Sequence, residues 1–107
     1  MSLFRKKKEG ILESKSLDQE DIVKFLDTYL KDQTRLNRDN KGLYTTLDDV
    51  NKALDPYAST MGKTYDPEKA TPEIFRLIND LLREKTKRSE LWQEEGKIIE
   101  RRYYIIS

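Results

Sequence analysis

The chain has 107 residues, 36% of them apolar and 38% charged, with a net charge of +1. A chain of this length supports one hydrophobic core, and no run of it nears the roughly 20 apolar residues that span a bilayer. Histidine and cysteine are both absent, which removes disulfides, thiolate nucleophiles, the usual zinc ligands and the usual general base near neutral pH.

Residues 1–15, MSLFRKKKEGILESK, mix a basic cluster with Gly10 and hold no sustained apolar period, so a flexible basic arm is expected. The arm lacks the apolar stretch of a signal peptide, which makes the expected location cytoplasmic, with no membrane attachment. Arg5–Lys8 suits a minor groove or an anionic surface, and equally a solvated tail. Residues 1–16 hold five Lys or Arg against two Glu, residues 17–58 six basic against nine acidic groups, and residues 59–107 ten against nine. The acidic block is therefore central, and a basic face can coexist with a near-neutral total.

Residues 16–107 read as a single domain. Ser16 with Gln19 has the spacing of a capping box, and Asp18 and Glu20 sit where a helix N-terminus favours acids. Ile22, Phe25, Leu26, Tyr29 and Leu30 then form one apolar stripe, predicting a helix that ends near Thr34. NRDNKG, 37–42, is rich in turn formers, and Leu43–Thr45 has the composition of a very short strand. Thr45 or Thr46 can cap a second helix carrying Leu47, Val50 and Leu54, which Pro56 is expected to end. Residues 55–71 make a long connection, mobile or functional.

Thr71 as N-cap with Pro72 behind it opens a third helix, whose Ile74, Phe75, Leu77, Ile78, Leu81 and Leu82 give it a broad apolar face. After the basic run Arg83, Lys85, Lys87 and Arg88, the pattern changes to ELWQEEGKIIERRYYIIS. Its Ile and Tyr content, with Gly96 at a turn, predicts a β-hairpin. Strict alternation would put Ile98, Glu100, Arg102, Tyr104 and Ile106 on one face and Ile99, Arg101, Tyr103 and Ile105 on the other. A fourth helix with Leu91, Ile98, Ile99, Arg102 and Ile106 aligned is the rival. The expected fold is thus mainly α with a small C-terminal hairpin (α+β), the alternative an all-α bundle of three or four helices.

Two fragments fall away. MGKT, 61–64, ends like a phosphate loop, but Tyr57 stands where the earlier Gly is needed; Lys41 puts a cation at a ligand position of the calcium-loop-like stretch 37–48. Trp92, Tyr103 and Tyr104 suit stacking on bases or a dimer interface, and equally core packing. Apolar groups on both faces of the last strand favour a homodimer.

GKIIERRYYIIS, 96–107, resembles the wing and final strand of PadR-like and related winged-helix regulators, in which a Gly and basic residues precede paired aromatics. The resemblance implies a winged helix-turn-helix with the third helix in the major groove. It further implies DNA contacts from Lys69, Thr71, Arg76 and Asn79 and, on the wing, from Lys97, Arg101 and Arg102. The function expected is that of a small dimeric transcriptional or plasmid or phage regulator that binds DNA. The alternative is a small helical adaptor or phage accessory protein that binds a protein partner. No constellation supports an enzyme, and no cofactor or metal is expected.

Overall fold

A computed structural model describes residues 16–106; the basic arm with Arg5–Lys8, and Ser107, lie outside the described residues. Along the chain come α1 (Gln19–Tyr29), β1 (Asn37–Asp39), β2 (Gly42–Thr45), α2 (Leu47–Thr60), α3 (Pro72–Lys85), β3 (Arg88–Glu94) and β4 (Lys97–Ile106). The strands form one antiparallel sheet in the order β1-β2-β4-β3. The fold is α+β, and the all-helical alternative, with residues 97–106 as a helix, is overturned. Among the described residues no helix is long and apolar enough to cross a membrane.

Capping sets the helix boundaries. Asp18, not Ser16, caps α1: its carboxylate accepts from Asp21 N at 2.9 Å while Asp18 N donates to the Asp21 carboxylate at 3.1 Å. Ser16 is engaged elsewhere, in a parallel bridge with Thr64. α1 stops at Tyr29, short of Thr34, because Asp32 caps a separate 3-10 turn, Gln33–Arg35, through Thr34 N. Thr46 caps α2 by accepting from Asp49 N at 3.1 Å, and Thr71 caps α3 by accepting from Ile74 N at 3.3 Å, with Pro72 opening the helix.

Pro56 does not end α2, which runs on to Thr60. The proline costs one backbone hydrogen bond, to the carbonyl of Lys52, and both residues are exposed, so water meets the orphaned oxygen. The connection to α3 is correspondingly shorter and is held down. Buried Asn51 donates to Pro67 O at 3.0 Å and accepts from the Tyr65 hydroxyl, and Lys63 pairs with Asp21 at 2.5 Å. The turn formers of 37–42 close a tight hairpin between β1 and β2, in which the Asp39 carboxylate accepts from Lys41 N at 2.8 Å.

The core is Ile22, Phe25, Leu26, Tyr29 and Leu30 of α1 and its cap, Val50 and Leu54 of α2, Ile78 and Leu82 of α3, and Tyr103 of β4. Full burial of each aliphatic side chain contributes about 1.5–3 kcal/mol. Tyr29 has its buried hydroxyl 3.0 Å from Thr45 Oγ1, so neither polar group is left unsatisfied.

The β3–β4 hairpin turns on Glu95 and Gly96, with φ of 52° and 79°, the two positive values of a type I′ turn. Its pairing shifts between Trp92 and Gln93: Trp92 faces Glu100, whereas Gln93 faces Ile98, which leaves Ile99 as an extra residue. Ile98 therefore leaves the line of Glu100, Arg102 and Tyr104, whereas Ile99 keeps the side of Arg101 and Ile105 the side of Tyr103, so the alternation expected for β4 holds from Ile99 to Ile105.

Candidate functional site

The alternation sends Arg101 and Arg102 to opposite sides of the sheet. Arg102 lies on the outer side, away from the core, with its guanidinium 3.9 Å from the Trp92 ring centroid and 4.5 Å from that of Tyr44. It donates to Asp39 and to Glu100, both at 2.8 Å, and Arg102 and Asp39 are only 13% and 15% exposed at their side chains. Burial alone would lower the guanidinium's affinity for its proton, but the hydrogen bonds to Glu100 and Asp39 outweigh it and fix the charge. Burial pushes Asp39 up, against hydrogen bonds from the Tyr104 hydroxyl, Lys41 N and Arg102, which hold it below the ordinary carboxylate value. The Tyr104 hydroxyl is pushed up to about 12 by burial and by donating to Asp39. Lys41 closes this side by pairing with Glu90. Arg102 thus has two carboxylates and two rings as partners, and its charge is spoken for inside the protein.

Arg101 lies on the helix side. It donates to Ser89 Oγ at 2.9 Å and neighbours buried Tyr103, whose hydroxyl donates to Asn79 of α3. Burial raises the Tyr103 hydroxyl, and the positive charges of Arg101 and Arg83 partly offset it. At about 100° per residue, Asn79, Arg83 and Arg76 share one sector of the exposed face of α3, and Glu73, Asp80 and Glu84 occupy the adjoining sector, about a quarter-turn round the helix. The Asn79–Tyr103 bond turns the basic flank toward the hairpin. Arg76 and Arg83 are exposed and have no ion-pair partner among the described residues.

The expected site residues thus divide into groups. Asn79 lies at the junction of α3 and β4, where it accepts from Tyr103, two residues from Arg101 on the same side of the strand, and Arg76 is exposed one turn earlier on α3. Thr71 is exposed at the start of α3 with its hydroxyl engaged as the cap. Lys97 is exposed at the hairpin turn, opposite Glu94. Lys69 lines a different cleft, of about 440 Å³, with Asp55, Lys63 and Tyr65. Arg83 and Ser89 were missed by the sequence reading. The signal for Arg83 was present in its spacing, four residues beyond Asn79 and seven beyond Arg76. Between α3 and the hairpin a further cleft, about 410 Å³, is lined by Leu47, Phe75, Ile99 and Arg101. Among the described residues no group of three His, Cys, Asp or Glu side chains could hold a metal ion.

No family model, curated protein or solved structure matches the chain.

Proposed function

We propose that this chain binds DNA as a small winged-helix regulator, using the hairpin-facing flank of α3 together with the base of the β3–β4 hairpin. The observation that carries this reading is the arrangement of charge on the exposed face of α3: Arg76 and Arg83 lie in the sector of Asn79, which meets Tyr103 of β4, and the carboxylates of Glu73, Asp80 and Glu84 lie about a quarter-turn further round. The order of elements supports it, since a helix, a short two-stranded hairpin, two helices and a closing hairpin, with β4 between β2 and β3, is compatible with a winged helix that carries an additional edge strand, β1. Glu94 and Glu95 crown the hairpin, and their charge repels phosphate, so contact comes from the hairpin's base and not from its tip.

Binding of a labelled duplex over a salt series tests the reading. Three phosphate contacts, from Arg76, Arg83 and Arg101, give a slope of log affinity against log salt of roughly −2.7; Lys97, at the acidic tip beside Glu94, is left out of the count. That slope amounts to a loss of about 40-fold between 50 and 200 mM salt. If neither duplex nor single-stranded DNA binds at the low-salt end, the reading is wrong. Binding of a protein partner without nucleic acid is the second reading, favoured by the exposed apolar residues Leu91, Ile98 and Ile99.

A further inference from the structure

The two edges of the sheet are unlike. β1 has three residues, all polar, whereas β3 has seven, contains no Pro, carries charges of both signs (Arg88, Glu90 and Glu94), and exposes Leu91 and Trp92 at 45% and 39%. Ile98 and Ile99 on the adjoining strand are 60% and 53% exposed. Among the described residues this edge has backbone N–H and C=O groups without a strand partner, and it is neither short nor interrupted by proline, two of the devices that blunt edges in proteins that stay monomeric.

From the sequence RSELWQE we infer that the occupant of this edge is the β3 strand of a second copy of the chain, paired antiparallel about a two-fold axis at Leu91. A two-fold axis perpendicular to the sheet keeps each face on its own side, so residues facing each other have the same parity and the axis must pass through a residue. Centring on Leu91 sets Arg88 against the partner's Glu94, twice, Leu91 against the partner's Leu91, and Ser89 against the partner's Gln93. Centring on Glu90 instead brings two Glu90 carboxylates together, and centring on Trp92 sets Glu90 against the partner's Glu94. Only the Leu91 register matches charge with opposite charge and leucine with leucine, and like charges directly opposite are destabilising. The resulting sheet has eight strands, and the exposed Leu91, Ile98 and Ile99 of the two copies adjoin across the axis. This dimer goes beyond the DNA-binding reading and does not depend on it.

Because the chain has no cysteine, disulfide trapping reads the register directly, with no DNA present. Directly opposed residues have Cα atoms about 4.5–5.5 Å apart, inside the disulfide range. Leu91→Cys is therefore expected to cross-link to itself under mild oxidant. Glu90→Cys and Trp92→Cys are not, since each lies roughly 8 Å from its own copy, yet a mixture of those two variants is expected to form the mixed dimer. Sedimentation equilibrium gives the second measurement. R88E and E94R are each expected to weaken association about tenfold, since each puts like charges opposite at two places, and the double variant R88E/E94R is expected to restore it. The inference is overturned if the unmodified chain sediments as a monomer at every concentration. It is equally overturned if Leu91→Cys cross-links no faster than Glu90→Cys, or if the double charge reversal dissociates further than either single change.

Discussion

Arg101 and Arg102 adjoin in the chain, and replacing each by Ala separates the structural from the DNA-contacting role. Removing the Arg102 side chain breaks its bonds to Asp39 and Glu100 and its stacking on Trp92 and Tyr44. Hydrogen bonds to charged groups contribute about 1.5–3 kcal/mol, and each partly desolvated cation–π contact adds about 0.5–2 kcal/mol. Asp39 keeps the Tyr104 hydroxyl and Lys41 N, so its desolvation is only partly uncompensated. A loss of about 2–4 kcal/mol follows, which for a domain of this size lowers Tm by on the order of 10–20 °C. Thermal and urea unfolding followed by circular dichroism measure it, while duplex affinity at a temperature where the variant is folded stays within about twofold. Arg101→Ala is expected to show the converse: Tm moves by only a few degrees, because one neutral acceptor is lost, and DNA affinity falls. An Arg102→Ala variant with unchanged Tm and weakened DNA binding would refute the assignment of Arg102 to the protein's own carboxylates.

Three further outcomes are expected. The double variant Arg83→Ala/Arg101→Ala should reduce the salt slope of duplex binding by about 1.8, two phosphate contacts, whereas Glu73→Ala should leave it unchanged or steepen it; fluorescence anisotropy over a salt series distinguishes them. Gly96→Ala puts a Cβ at φ 79° with nothing within 4 Å of it, so the cost is backbone strain alone, about 1 kcal/mol; Glu95→Asn, at φ 52°, relieves strain and stabilises by a few tenths of a kcal/mol. Asp39 is held below its ordinary value of 3.8 by the bonds that outweigh its burial. Its contribution is therefore complete above that pH and lost as pH falls through the lower folded value. Asp39→Asn should accordingly lose less stability than the parent between neutral pH and pH 2 in urea titrations.

Local chemistry made much of the fold legible. Thr46 and Thr71 are caps whose partners lie three residues away, and the apolar stripes of α1 and α3 are read from spacing alone. What escaped depends on partners distant in sequence. Asp18 displaced Ser16 as the α1 cap because Asp21 could reciprocate and Thr64 engaged Ser16. Pro56 stayed inside α2 because its unmatched carbonyl faces water. The Asn37–Asp39 strand is too short and polar to register as one until β2 pairs with it. At the site, Asn79 and Arg101 were named from residue type, but the fate of Arg102 turned on Asp39, 63 residues away, to which no spacing rule points.

The extra residue at Ile99 has a mechanical consequence. A bulge interrupts the ladder where the hairpin leaves the core, so the pairs from Glu100 to Tyr104 are braced by packing while Gln93–Ile98 is cantilevered beyond them. The hairpin behaves as a stiff base with a compliant end, and the joint is one residue wide. Backbone amides of residues 93–98 should exchange with solvent well ahead of those at 101–104. Deleting Ile99, which leaves the β3–β4 pairs on either side in register but removes the joint, should bring the two rates together.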